Sequence, residues 1–132
     1  MDILAEAHDF LFRMQMLYSV ILGIYGAYLY VQKEALSGNY FGSVAVYAIL
    51  NAVILVVGII LNVSGYTILS EDRIFIYYLY MLFLIVIMPG LFSMLRGRDD
   101  IQAAMYFFIL AFFNAAVSWS MFGRGLASWV VA

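Results

Sequence analysis

The chain's single histidine, His8, stands among Glu6, Asp9 and Arg13. A histidine beside carboxylates suits proton transfer, metal ligation or an axial bond to a haem. Each of these needs a second group. A b-type haem in a helical bundle takes two axial ligands, normally His–His or His–Met. Hydrolysis needs a nucleophile beside a base, or two metal ligands with a carboxylate. Neither constellation is visible. With no cysteine there is no thiolate metal site, iron–sulfur cluster or disulfide. Gly123-Arg124-Gly125 is too short for a phosphate-binding loop. The expected state of His8 is therefore a solvated interfacial cluster with Glu6, Asp9 and Arg13. Arg13 would reach back to Asp9 at spacing four, or across to Glu71 or Asp72. The other reading of His8 is as one ligand of a shared haem or chlorophyll.

The surroundings of these residues are set by composition. Of 132 residues, 67% are apolar and 11% charged, with a mean hydropathy of +1.04. A soluble domain runs to about 25% charged residues. So few charges cannot coat a water-facing surface, which excludes an ordinary soluble enzyme domain, a disordered chain and a nucleic-acid binder with a basic face. Charge-free runs occupy 14–32, 35–70, 74–95 and 101–123. A helix needs about 20 apolar residues to cross a bilayer. The expected fold is an all-α integral membrane protein, one domain over 1–132 with no soluble part. Its four transmembrane helices fall at about 10–31, 41–63, 74–95 and 101–122. Short connections make it an antiparallel up-down bundle with both termini on the same side. Continuous rather than alternating apolar runs argue against a β-barrel. The acidic leader and the missing cleavage site distinguish the first span from a secretory signal.

The side holding both chain ends, here the near side, carries Arg13, Arg73 and Arg124. The far side carries Lys33, Arg96 and Arg98. The count of Lys and Arg is tied, so the positive-inside rule leaves orientation open. Arg13 sits one turn inside its span, which leans toward both termini outside. The expected location is a bacterial-type inner or plasma membrane.

Most acids have a helix-end role. Ser70-Glu71-Asp72 precedes the third span and Asp99-Asp100 the fourth, where capping oxygens meet free N–H groups. Arg96 and Arg98 close the third helix, with Gly97 as its left-handed residue. Tyr66 and Trp119 on the near side, and Tyr30, Tyr40 and Tyr106 on the far side, fit interfacial aromatic belts. Trp129 is expected on the membrane surface.

Inside the bundle, membrane helices meet through small residues and polar contacts. Ser19, Gly23 and Ala27 form such a stripe on the first helix, with Gly26 beside it. Val44, Ala48, Asn51, Leu55, Gly58 and Asn62 share a face of the second. Ala104, Phe107, Ala111, Asn114, Ser118 and Met121 share one of the fourth. An unpaired amide in hydrocarbon costs about 2–7 kcal/mol, so Asn51 and Asn114 should face inward, within reach of bonding each other directly or through Ser118 or a water; the alternatives are a ligand or cofactor contact and an ion path. The third helix is aromatic and carries the chain's one proline. Pro89 should kink it, as a packing feature, a hinge, or a groove for a lipid, quinone or pigment. The chain's two Trp, 11 Tyr and 11 Phe exceed what a small interior holds. Tyr77, Tyr78, Tyr80 and Phe83 are therefore expected to meet a partner or lipid.

No span carries Asp, Glu, Lys or His in its middle, which argues against proton- or ion-coupled transport. Small four-helix multidrug exporters place an acid within the first helix; this one has none. In layout and size the chain resembles the small accessory subunits that surround respiratory and photosynthetic cores. That resemblance covers no motif. It implies a non-catalytic structural or assembly subunit of a larger, energy-transducing membrane complex, in contact with lipids and other integral membrane subunits. No cofactor is required by the sequence, though a bound lipid, quinone or pigment fits it. One alternative is a small self-assembling, homo-oligomeric transporter or channel with a neutral path of Asn51, Asn62, Asn114 and Ser118. The other is a lipid-, quinone- or pigment-binding membrane protein.

Overall fold

A computed structural model describes residues 2–34, 38–68, 74–96, 100–126 and 129–131. The elements run α1 (Asp2–Val31), α2 (Gly38–Val63), β1 (Tyr66–Ile68), α3 (Ile74–Met94), α4 (Ile101–Gly123) and β2 (Trp129–Val131). All four helices are long and apolar enough to span a bilayer. The protein is an integral, multi-pass membrane protein built as an all-α four-helix bundle.

Helix α1 starts eight residues earlier than its apolar run suggests. The leader contains no Gly or Pro, and Leu4, Ala5, Glu6 and Ala7 are good helix formers. Its polarity therefore marks the first turns of a helix rather than a separate segment.

The buried residues follow one rule. On α1 they include His8, Phe12, Gln15, Ser19, Leu22, Gly26 and Leu29. On α2 they are Tyr40, Val44, Tyr47, Asn51, Ile54, Gly58 and Leu61. On α3 they are Tyr77, Met81, Leu84 and Met88. On α4 they include Ala104, Phe107, Ala111, Asn114, Ser118 and Met121. Each series alternates steps of three and four residues, the heptad seam of left-handed helix packing. The fourth-helix face is the one expected from sequence. On α2 the seam keeps Val44, Asn51 and Gly58 of the expected face and is rotated from the rest: Ala48 and Leu55 are only half-buried and Asn62 is exposed, while Tyr40, Tyr47, Ile54 and Leu61 point inward.

Helix α1 packs most extensively on α4, then on α2; α2 holds α3, and the α3–α4 seam is thin. The α1–α4 approach is close because of two glycines. A Cβ at Gly23 would lie 2.8 Å from the Phe112 ring, and one at Gly26 would lie 2.8 Å from Phe108 Cβ. Ala27 of the expected stripe is half-buried, so Gly26 takes its place in the tight contact.

Helix ends are closed by local hydrogen bonds. Asp100 caps α4 as expected, its side chain accepting from Ala103 N at 2.9 Å. After α4, Leu126 N donates to Met121 O and Gly125 adopts φ +72°, a Schellman closure that buries Leu126. The left-handed residue after α3 is Arg96, at φ +54°, one position before the expected Gly97. Gly97, Arg98, Asp99 and the Ser70–Asp72 caps fall outside the described residues.

Two short strands, absent from the sequence-based expectation, tie the near side together. β1 and β2 pair antiparallel, with Tyr66 opposite Val131 and Ile68 opposite Trp129. Tyr66 is consequently buried rather than part of a belt, and Trp129 is 7% exposed rather than lying on the membrane surface. On the far side Tyr40 is also buried, donating to Leu22 O at 3.3 Å. Tyr30, Tyr106 and Trp119 do face outward.

Candidate functional site

The polar interior has two parts. The first lies at the near side. His8 is 0% exposed, and its Nε2 shares a 2.7 Å hydrogen bond with the Tyr77 hydroxyl, the tautomer deciding which group donates. Phe12, one turn on, lies parallel to the imidazole at 6.4 Å. Trp129 meets His8 edge-on at 5.6 Å and Tyr77 at 5.3 Å. Gly58 makes the meeting possible, because a Cβ there would collide with the Tyr77 hydroxyl and lie 3.2 Å from the Trp129 ring. Three helices and a strand thus enclose one imidazole.

This arrangement corrects two expectations. His8 is buried rather than solvated, whereas Glu6 is exposed and Arg13 pairs with Asp9 at 3.2 Å as the spacing predicts. The Arg13 guanidinium also covers the Phe122 ring at 5.2 Å. Ala5, Glu6, Asp9, Arg13 and Trp129 line a recess of about 350 Å³ there. Glu71 and Asp72 lie outside the described residues. The second correction concerns Tyr77, which points into the bundle; Tyr78, Tyr80 and Phe83 remain half-buried on the outer side of α3.

The second polar part crosses the middle of the bundle. It separates a near-side apolar cluster around Phe12, Ile54 and Met81 from a far-side cluster around Leu22, Val44 and Phe107. Its centre is the Tyr47 hydroxyl. It lies 2.7 Å from the Ser19 hydroxyl, whose one proton Tyr47 shares with Gln15 O at 2.9 Å, and 3.2 Å from Gln15 Oε1. The amides of Asn51 and Asn114 approach the same hydroxyl. Asn51 Nδ2 donates instead to Tyr47 O at 3.0 Å, and Ser118 donates to Asn114 O at 2.8 Å. Of the expected arrangements, direct, through Ser118 or through a water, the direct Asn51–Asn114 bond is not formed. Asn62 does not join the layer; it donates to the Tyr78 hydroxyl at 2.9 Å on the exposed side. Gln15, Tyr47 and Tyr77 are among the interior residues that sequence reasoning missed. For Gln15 and Tyr47 the signal is the three–four spacing that links 8, 12, 15 and 19 on α1 and 40, 44 and 47 on α2.

The outer surface is apolar and grooved along both flanks of α3. Ile76, Leu79, Tyr80, Phe83, Phe113 and Val117 line a groove of about 400 Å³ against α4. Against α2, grooves of about 220 and 510 Å³ meet at Pro89. Helix α3 continues through Pro89 to Met94. Pro89 has no N–H to give the Ile85 carbonyl, and Ile85 lines the larger groove. Among the described residues, no three His, Asp or Glu side chains converge on a point that could hold a metal.

No protein-family model, no curated protein and no solved structure matches the chain.

Proposed function

We propose that the protein is a non-catalytic accessory or assembly subunit of a larger membrane complex. One observation carries this reading. The polar side chains within the spans are turned mostly into the bundle and against one another, while α3, the least enclosed helix, leaves apolar grooves open along both flanks. A surface of that kind is completed by other hydrophobic matter. The inner polar layer lies between two apolar clusters, and the grooves along α3 are lined by other residues. That arrangement favours a packing role over a transport path. The small, aromatic-rich layout with short connections supports an energy-transducing complex in a bacterial-type inner membrane as the setting.

The test is photo-crosslinking from Leu79 and Val86, one in each α3 groove, in the host membrane. The expected result is a defined adduct with another integral membrane protein at one or both positions. Adducts with lipid or a small apolar molecule alone would transfer the reading to a lipid-, quinone- or pigment-binding protein. Adducts with a second copy alone would favour the self-assembling alternative.

A further inference from the structure

The amide layer contains more hydrogen-bonding capacity than its protein neighbours use. Gln15 Nε2 and Asn114 Nδ2 are donors without an acceptor, and Asn51 Oδ1 and Asn114 Oδ1 are acceptors without a donor. All three residues are 0% exposed. The Tyr47 hydroxyl has one proton, with Ser19 Oγ at 2.7 Å and Gln15 Oε1 at 3.2 Å already competing for it, so it does not satisfy Asn51 Oδ1 and Asn114 Oδ1 as well; the Asn114 amide approaches it without a hydrogen bond. The Ser118 proton is likewise directed to Asn114 O.

We propose that Gln15, Asn51 and Asn114 form a binding site for water at the centre of the bundle, joining α1, α2 and α4. Two open donors and two open acceptors, on residues gathered around Tyr47, are the complement of water, which accepts twice and donates twice. Asn114 contributes one of each, so a short chain of water fits better than a single molecule. The grooves on the outer flanks of α3 and at the two ends of the bundle are lined by other residues. A direct Asn51–Asn114 amide pair is the rival arrangement, and it leaves Gln15 Nε2 and Asn114 Oδ1 still to be satisfied. The site is independent of which partner, if any, covers α3.

Solid-state NMR of the full chain in lipid bilayers tests this by following polarisation from water protons to side-chain amides. The exposed Asn62 amide and the buried Ala111 backbone amide serve as references. The expected result is transfer to the Asn114 and Gln15 side-chain amides as early as to Asn62. In Gln15→Met, transfer to Asn114 falls while transfer to Asn62 is unchanged. Transfer to Asn114 as late as to Ala111 in the unmodified chain would overturn the proposal in favour of direct amide pairing. An unchanged Asn114 signal in Gln15→Met would overturn the three-residue site.

Discussion

The Tyr77 hydroxyl and His8 Nε2 meet at 2.7 Å although 69 positions separate them in sequence. The contact links the beginning of α1 to the beginning of α3, two helices with little else in common. Trp129 and Gly58 complete the enclosure, one by covering the pair and the other by leaving room for it.

Gly58→Ala should therefore force Tyr77 away from His8. Overpacking of this kind costs about 1–3 kcal/mol. Tyr77→Phe removes the colliding hydroxyl along with its bond to His8, and loss of such a bond between membrane helices costs about 0.6 kcal/mol on average and about 1.7 kcal/mol at most. The double variant should be more stable than the sum of the two losses predicts, because the added methyl then meets less obstruction. Denaturant unfolding of the four proteins in detergent measures the coupling. Strict additivity would show that the two sites do not touch.

Alanine substitution should rank three glycines by what their new Cβ meets. At Gly26 the obstacle is Phe108 Cβ and backbone, 2.8 and 3.3 Å away, which cannot swing aside. At Gly23 it is the Phe112 ring, which is half-exposed and free to turn. At Gly42 nothing lies within 4 Å. The expected order of destabilisation is Gly26→Ala, then Gly23→Ala, with Gly42→Ala neutral or slightly stabilising through its better helix propensity. Thermal unfolding in one detergent reads the order, and equal midpoints for Gly26→Ala and Gly42→Ala would contradict the close α1–α4 approach.

Tyr47→Phe removes the hydroxyl that links Ser19 to Gln15 Oε1. Buried hydrogen bonds between membrane helices average about 0.6 kcal/mol, with about 1.7 as an upper value. The expected loss lies in that range, and it should shrink when Gln15 is already Met. A loss near zero in the unmodified background would show that Tyr47 is not the centre of the layer.

The number of helices and the sides of their ends were legible because charge-free length alone decides them. The fourth-helix seam was legible too, since Ala104, Ala111, Asn114 and Ser118 contrast with the large apolar residues around them. Helix α3 offers no such contrast. It is apolar on every side, so periodicity could not show that Tyr77 turns inward while Tyr78 and Tyr80 do not. His8 was hidden for a related reason. Its neighbours in sequence are charged, and its neighbours in space are Phe12, Tyr77 and Trp129, two of them distant along the chain. Three-residue strands carry too little pattern to be read at all.

The most direct measurement is the native mass, with an absorption spectrum, of the tagged protein taken from its own membranes in mild detergent. The expected result is a particle much larger than the 14.9 kDa chain, containing other membrane proteins in fixed ratio. A particle built only of this chain, retained under the mildest extraction and after crosslinking in the intact membrane, would contradict the accessory-subunit reading.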